Sequence, residues 1–376
     1  MIALRAARLF DGVAMRGAAT VLVDGALIAA VLEDGAHPAG VLLHTLPANA
    51  TLAPGFIDVQ VNGGGGVLFN NAIDADAIRV IAAAHAMTGT TSILPTLISG
   101  TRPQIDAALG AGSVAIPGVI GLHIEGPFIS PARRGIHPAT NIIEMTDEDV
   151  ERLGAAGLPQ LLLTLAPERV RAAQIAALAA RGVIVFAGHT DATAAEAQAG
   201  LRAGVTGFTH LFNAMSQFGS RTPGAVGAAL ADPVAYAGII VDGVHVDPVS
   251  VAAAHAALST SRLFLVSDAM ATAASAVSEF TLNGGTIRLH AGKLTDDAGT
   301  LAGAHLTMAE AVRNAVCMVG LPVADALRMA TATPAACMGL RDRGRIAPGL
   351  RADFLCLDEH LNVLSTWQGG ERLGPA

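Results

Sequence analysis

Lysine is all but missing from this 376-residue chain: Lys293 stands alone, and arginine supplies the other basic side chains. That looks like compositional bias, yet it restricts any chemistry that needs a lysine. Charge of either sign is sparse, at 14% charged residues and a net charge of -8, with basic clusters only at Arg133-Arg134 and Arg341 to Arg345. A nucleic-acid partner needs a basic face, so that class is set aside. No uninterrupted apolar stretch reaches the ~18 residues that span a bilayer, which argues against a membrane partner. Met1 to Phe10 carries Arg5 and Arg8 and lacks the apolar segment of a signal peptide. Cysteine is scarce as well: Cys317, Cys337 and Cys356 are odd in number and scattered. A disulfide framework is thereby excluded, and a reduced, cytoplasmic setting is expected. What the chain does have is apolar residues, 52% of the total, enough to bury a large core and to exclude disorder.

The two ends share one character. Runs at Leu4–Phe10, Thr20–Val23, Leu27–Leu32 and Val41–Leu46 read as short strands, separated by Asp11-Gly12, Asp24-Gly25 and Asp34-Gly35 turns. Asp353–Leu357 and Val363–Trp367 read likewise, after a Pro348-Gly349 turn. One small sheet domain built from both termini, residues 1–50 and 344–376, is the expectation.

Residues 51–343 alternate instead. Strand-like runs at Leu52–Val59, Thr91–Leu97, Val119–Glu125, Leu161–Leu165, Val183–Ala187, Gly207–His210, Tyr236–Val241 and Leu263–Ser267 are separated mostly by alanine-rich helical segments. These include Asp74–Met87, Thr146–Ala156, Glu168–Arg181, Ala192–Ala203 and Pro248–Leu258, with Thr193 and Glu196 spaced as a capping box. Eight such repeats predict an α/β fold, a (β/α)8 TIM barrel. A doubly wound sheet is the alternative, but no Gly-x-Gly-x-x-Gly follows a strand in dinucleotide context.

Barrel chemistry gathers at the C-terminal rim, and the polar residues there are Gln60, Asn62, Glu125, His189, His210, Asp242, His245 and Asp268. Alternation puts His123 and Glu125 on one face of their strand. A buried carboxylate needs a partner, and the runs ending at His189 and His210 each bring an imidazole. Glu125, His189 and His210 make a three-ligand set for a catalytic metal with a position left for water. Each histidine alone has an ordinary structural use, as cap or core; their convergence favours the metal. Asp268 is read as general base for the bound water and then as acid to the leaving amine. His245 is read as polarising the substrate carbonyl, and Arg221, in a glycine-proline loop, as suited to a phosphate or carboxylate. His85 and His255 on helices, and His37, His44, His290 and His360, are left as structural. The His-x-His pair that marks many two-metal barrels is replaced by Gln60-x-Asn62, and Lys293 is too remote to bridge two ions. One metal is expected.

With these residues assembled, the chain resembles the N-acetylglucosamine-6-phosphate deacetylase family of the amidohydrolase superfamily. The likeness rests on Pro54-Gly-Phe-Ile-Asp-Val-Gln60-Val-Asn62, Gly121-Leu-His-Ile-Glu-Gly-Pro127, Gly188-His-Thr-Asp-Ala-Thr193, Thr209-His-Leu-Phe-Asn-Ala-Met215, Gly238-Ile-Ile-Val-Asp-Gly-Val-His245 and Val266-Ser-Asp-Ala269. It implies that Glu125, His189 and His210 hold one divalent ion per subunit, Zn2+ before Fe2+, Co2+ or Mn2+. It implies that Asp268 and His245 are catalytic, that His137, Asn213 and Ala214 contact the sugar phosphate, and that the Leu301-Ala302-Gly303 loop closes over the sugar. Arg221 would bind the phosphate in the neighbouring subunit of a homodimer, and Gln60 and Asn62 would mark a vestigial second-metal position. The implied terminal domain is a β-sandwich. Rival readings are an amidohydrolase for N-acyl amino acids and a silent sugar-phosphate binding protein.

Overall fold

Eight strands carry the alternating middle of the chain: β1 (Phe56–Val61), β2 (Thr90–Ile98), β3 (Leu122–Glu125), β4 (Leu161–Leu165), β5 (Ile184–Ala187), β6 (Val205–Phe208), β7 (Tyr236–Ile239) and β8 (Leu263–Leu265). In the computed structural model, which describes residues 1–33 and 36–374, they pair in parallel and in sequence order. Most of their residues are buried, all nine of β2 among them. Strands covered on both faces are mostly apolar, which is why the sequence shows them as near-continuous runs rather than alternations. Register brings their C-terminal ends to one rim, with Ile98 beside Glu125 and Glu125 beside Thr164. The barrel expectation is met.

Between β1 and β8 there is no regular ladder. The seam closes just past the strand ends, where the Asn62 and Gly63 amides both donate to Ala269 O at 2.9 Å. Helices start where capping chemistry predicts. Asp74 accepts from Ala77 N at 2.8 Å ahead of the helix Ala75–Ala86. Thr193 and Glu196 exchange the expected bonds ahead of Ala194–Ala203. The Glu168–Arg181 segment is helical only over Ala172–Ala180. Glu168 is instead taken up by Thr190 Oγ1 and the Asp191 amide, at 2.5 and 2.7 Å.

Two apolar runs turn out to be double. Leu52–Val59 divides at Gly55: Thr51–Pro54 joins a flanking sheet, and only Phe56 onward enters the barrel. A Cβ on Gly55 would lie 2.0 Å from Thr91 Oγ1, so only glycine passes this close to β2. Leu4–Phe10 likewise splits into Ile2–Ala6 and Arg8–Phe10, which lie in different sheets. The flanking six-stranded sheet combines Thr51–Pro54, Arg8–Phe10 and Met15–Arg16 with Phe354–Leu357, Val363–Gln368 and Glu371–Leu373. Both termini therefore share one sheet. A second sheet, of four strands, is wholly N-terminal. The Asp34-Gly35 turn lies outside the described residues.

A three-stranded sheet, Glu279–Leu282, Gly285–His290 and Lys293–Thr295, follows β8 and had no counterpart in the sequence reading. Its apolar residues Leu282, Ile287 and Leu294 bury against Leu68, Ile98, Met270 and Ala302, beside the rim.

Candidate active site

The C-terminal rim opens on a cavity of about 400 Å³. Among its walls are Asn62, Glu125, His137, His189, His210, Asn213, Ala214, His245, Asp268, Leu301 and Gly303. Residues more than 240 positions apart in sequence thus share one chamber.

Glu125 ends β3, and its Oε1 lies 3.2 Å from His189 Nε2 and 3.0 Å from His210 Nε2, with the two Nε2 atoms 3.0 Å apart. All three side chains are buried. His189 Nδ1 donates to Arg133 O at 2.9 Å, which leaves a lone pair on Nε2 in the neutral ring. Three electron-pair donors facing one point repel unless positive charge sits among them. Burial alone would raise the Glu125 carboxyl, but the two imidazoles outweigh it and hold it well below the usual carboxylate range. Burial likewise opposes charge on His210, yet Glu125 raises its pKa. The cluster draws in positive charge, and it is the one group of three or more such ligands among the described residues. Carboxylate oxygen plus two imidazole nitrogens is a donor set that fits a divalent transition metal.

His123 shares the face of Glu125 but lies one layer down. It pairs with Thr164 Oγ1 at 2.8 Å and Thr96 Oγ1 at 3.3 Å, and burial lowers its pKa to about 4. It belongs to the barrel interior, outside the ligand set.

Asp268 follows β8. Asn62 Nδ2 donates to its Oδ1 at 2.6 Å, and Gln60 Nε2 lies between Asp268 Oδ1 at 3.2 Å and Glu125 Oε1 at 3.0 Å. The neutral amide of Gln60 thus bridges the two carboxylates, and that of Asn62 donates to Asp268 alone. Burial and the nearby charge of Glu125 lift Asp268 to about 6. His189, His210 and Asp268 have positive φ of 48°, 30° and 50°. Left-handed backbone at non-glycine residues is disfavoured and concentrates at functional sites.

His245 Nδ1 donates a hydrogen bond to Asp242 Oδ2 at 2.6 Å, leaving Nε2 for the cavity that the residue lines. Burial works against charge on Asp242, but His245 and two loop amides hold its carboxyl below the usual value. His137 Nδ1 lies 2.6 Å from Ser99 Oγ, and its ring centre lies 4.1 Å from that of His189, the two planes tilted by 50°. Leu301 and Gly303 line the cavity, whereas Ala302 turns into the core beside Met270. Arg221 is exposed and outside this cavity.

Sequence reasoning overlooked several residues. Ile98, Arg133, Ile136 and Thr300 also line the chamber. Asp58 lies fully buried beneath it. Its place two residues before Gln60 on the same strand was a usable signal. The loop residues carried none, because only the fold brings them here.

The amidohydrolase family model matches residues 51–373. An N-acetylgalactosamine-6-phosphate deacetylase of Shewanella sp. (strain ANA-3) is 42% identical over 334 residues, 88% of this chain and 85% of the relative. An N-acetylglucosamine-6-phosphate deacetylase of Haemophilus influenzae is 34% identical over 359 residues, 93% of each. The crystal structure of N-acetylglucosamine-6-phosphate deacetylase from Pasteurella multocida has a TM-score of 0.96 to this chain at 34% identity, and all of both chains is covered.

Proposed function

The chain belongs to the amidohydrolase family, and on that footing we propose that it deacetylates N-acetylglucosamine 6-phosphate, releasing acetate and glucosamine 6-phosphate. The observation that carries this reading is the convergence of Glu125, His189 and His210 beside Asp268 in one chamber.

Glu125 Oε1 and the two Nε2 atoms would hold one divalent ion, zinc by the chemistry of its ligands. Such an ion supplies Lewis acidity, making water a better nucleophile and a carbonyl a better electrophile. The chain's own residues do the rest. Asp268, oriented through Oδ1 by Asn62 and Gln60, takes a proton from the attacking water and passes it to the departing amine as the C–N bond breaks. His245 donates from Nε2 to the carbonyl oxygen, with Asp242 carrying the counter-charge. His137, Asn213, Ala214 and the Leu301–Gly303 loop would hold the sugar. Arg221, turned away from its own chamber, would serve the phosphate of a second subunit in a homodimer. Unpaired cysteines support a cytoplasmic setting, and no helix among the described residues is long and apolar enough to cross a membrane.

The Shewanella relative, at 42% identity, favours a second reading in which the galactosamine epimer is the better substrate. Acetate release from metal-loaded protein is the test, run on both 6-phosphates and on the unphosphorylated sugars. Turnover of a 6-phosphate at least 100-fold above its parent sugar is expected. No acetate from either phosphate would refute the reading, and the epimer ratio decides between its two forms.

A further inference from the structure

Asp58 has no place in the reaction just described, although its carboxylate is fully buried and forms no ion pair among the described residues. An uncompensated buried carboxylate is costly, and burial lifts this one to about 7. Its contacts are specific. Oδ2 accepts the hydroxyl of Ser267, while Oδ1 accepts the Ser267 amide at 3.3 Å and the Gln60 amide at 3.2 Å. The Ser267 hydroxyl in turn accepts the Ala269 amide at 3.1 Å.

Asp58, Gln60 and Asn62 stand at alternate positions of one strand and its exit, and so face the same way. All three reach the segment Ser267–Ala269: Asp58 takes Ser267, while Gln60 and Asn62 hold Asp268 Oδ1. This is also the seam where β1 and β8 lack a ladder. Past Asp268, the Asn62 and Gly63 amides fix Ala269 O, and the Ala304 amide fixes Asp268 O at 2.9 Å. Asp268, at a positive φ of 50°, is thus flanked by two neighbours that are both hydrogen-bonded in place.

We infer that Asp58 is a positioning residue for Asp268, clamping Ser267 so that the base keeps the backbone turn that aims it into the chamber. The role rests on the reading of Asp268 as base. Asn62 and Gln60 orient the tip of that side chain, whereas Asp58 sets its root. An asparagine or serine would close the seam at less desolvation cost. A carboxylate accepts all three donors at once through charge-assisted bonds, which are the stronger kind.

The test is a double-mutant cycle on full-length, metal-loaded protein with N-acetylglucosamine 6-phosphate, together with crystal structures of D58N and S267A. D58N is expected to lower kcat about 30-fold with KM and metal content nearly unchanged, and S267A to lower it severalfold. In a D268N background, D58N should change the residual rate less than threefold, because its target is already gone. In both structures the 2.6 Å contact from Asn62 Nδ2 to Asp268 Oδ1 should lengthen beyond hydrogen-bonding range. An equal loss in both backgrounds would make Asp58 a general structural element and overturn the inference, as would D58N within twofold of wild type. If D58N does not fold, S267A decides by the same criteria. An inactive wild type would sink the proposed function alone, since the Asp268 geometry in the variant structures still judges Asp58.

Discussion

Replacing Asp268 with asparagine removes the proton acceptor while sparing nearly everything around it. Asparagine has the same shape, and its Oδ1 can keep the bonds from Asn62 at 2.6 Å and Gln60 at 3.2 Å. Its Nδ2 then takes the place of Oδ2, the oxygen that Asn62 and Gln60 do not engage. Fold and metal content should survive, and loss of a negative charge beside Glu125 relieves repulsion rather than adding any. A positioned general acid–base contributes about 10²- to 10⁴-fold. Here one carboxylate serves both the water and the amine, so the upper part of that range applies, about 10³- to 10⁴-fold in kcat, or ~4–5.5 kcal/mol. The measurements are acetate release under saturating substrate, metal content, and calorimetric binding of the uncleaved sugar phosphate. Binding within about threefold of wild type, with turnover down by three orders of magnitude, is the expected pair of results. A variant with kcat within tenfold of wild type refutes the assignment, because the other carboxylate among the described residues lining the chamber is Glu125, already read as a ligand.

Three further outcomes follow from the same geometry. Asn62→Ala removes a donor that favours the ionised form of Asp268, so its pKa rises and the acid limb of kcat/KM moves to higher pH by about one unit, an unmoved limb counting against the contact. Chelation should abolish turnover and lower Tm, with both restored by zinc, since an ion at 100 times its Kd adds ~2.7 kcal/mol; an unshifted Tm argues against the ligand set. Arg221→Gln should lower the preference for the phosphorylated sugar. Mixing and re-pairing it with D268N subunits should recover about a quarter of wild-type activity, because half the dimers then hold one intact site; no recovery excludes a shared site.

The place of each ligand candidate on its strand was legible early. Glu125, His189 and His210 each close an apolar run, and a strand buried on both faces has to end where a polar residue first needs solvent, a partner or an ion. Capping at Thr193 was equally local and equally readable. The Leu52–Val59 run was misread because a break between two sheets leaves the same apolar pattern as one strand. Nothing local tells that Gly55 is squeezed against Thr91.

By itself, then, the sequence determined the eight-fold alternation, the rim positions of the polar residues and the likeness of motifs, all of which depend on neighbours a few residues apart. The tertiary structure alone decided that His123 sinks into the interior while Glu125 faces the chamber, and that Ala302 turns away between two lining residues. It alone brought Asp58 to Ser267, 209 positions on, and Gln60 between two carboxylates. Those contacts depend on barrel closure and register. A hydrogen bond across a seam is set by where two distant strands meet, and no periodicity within either strand encodes that distance.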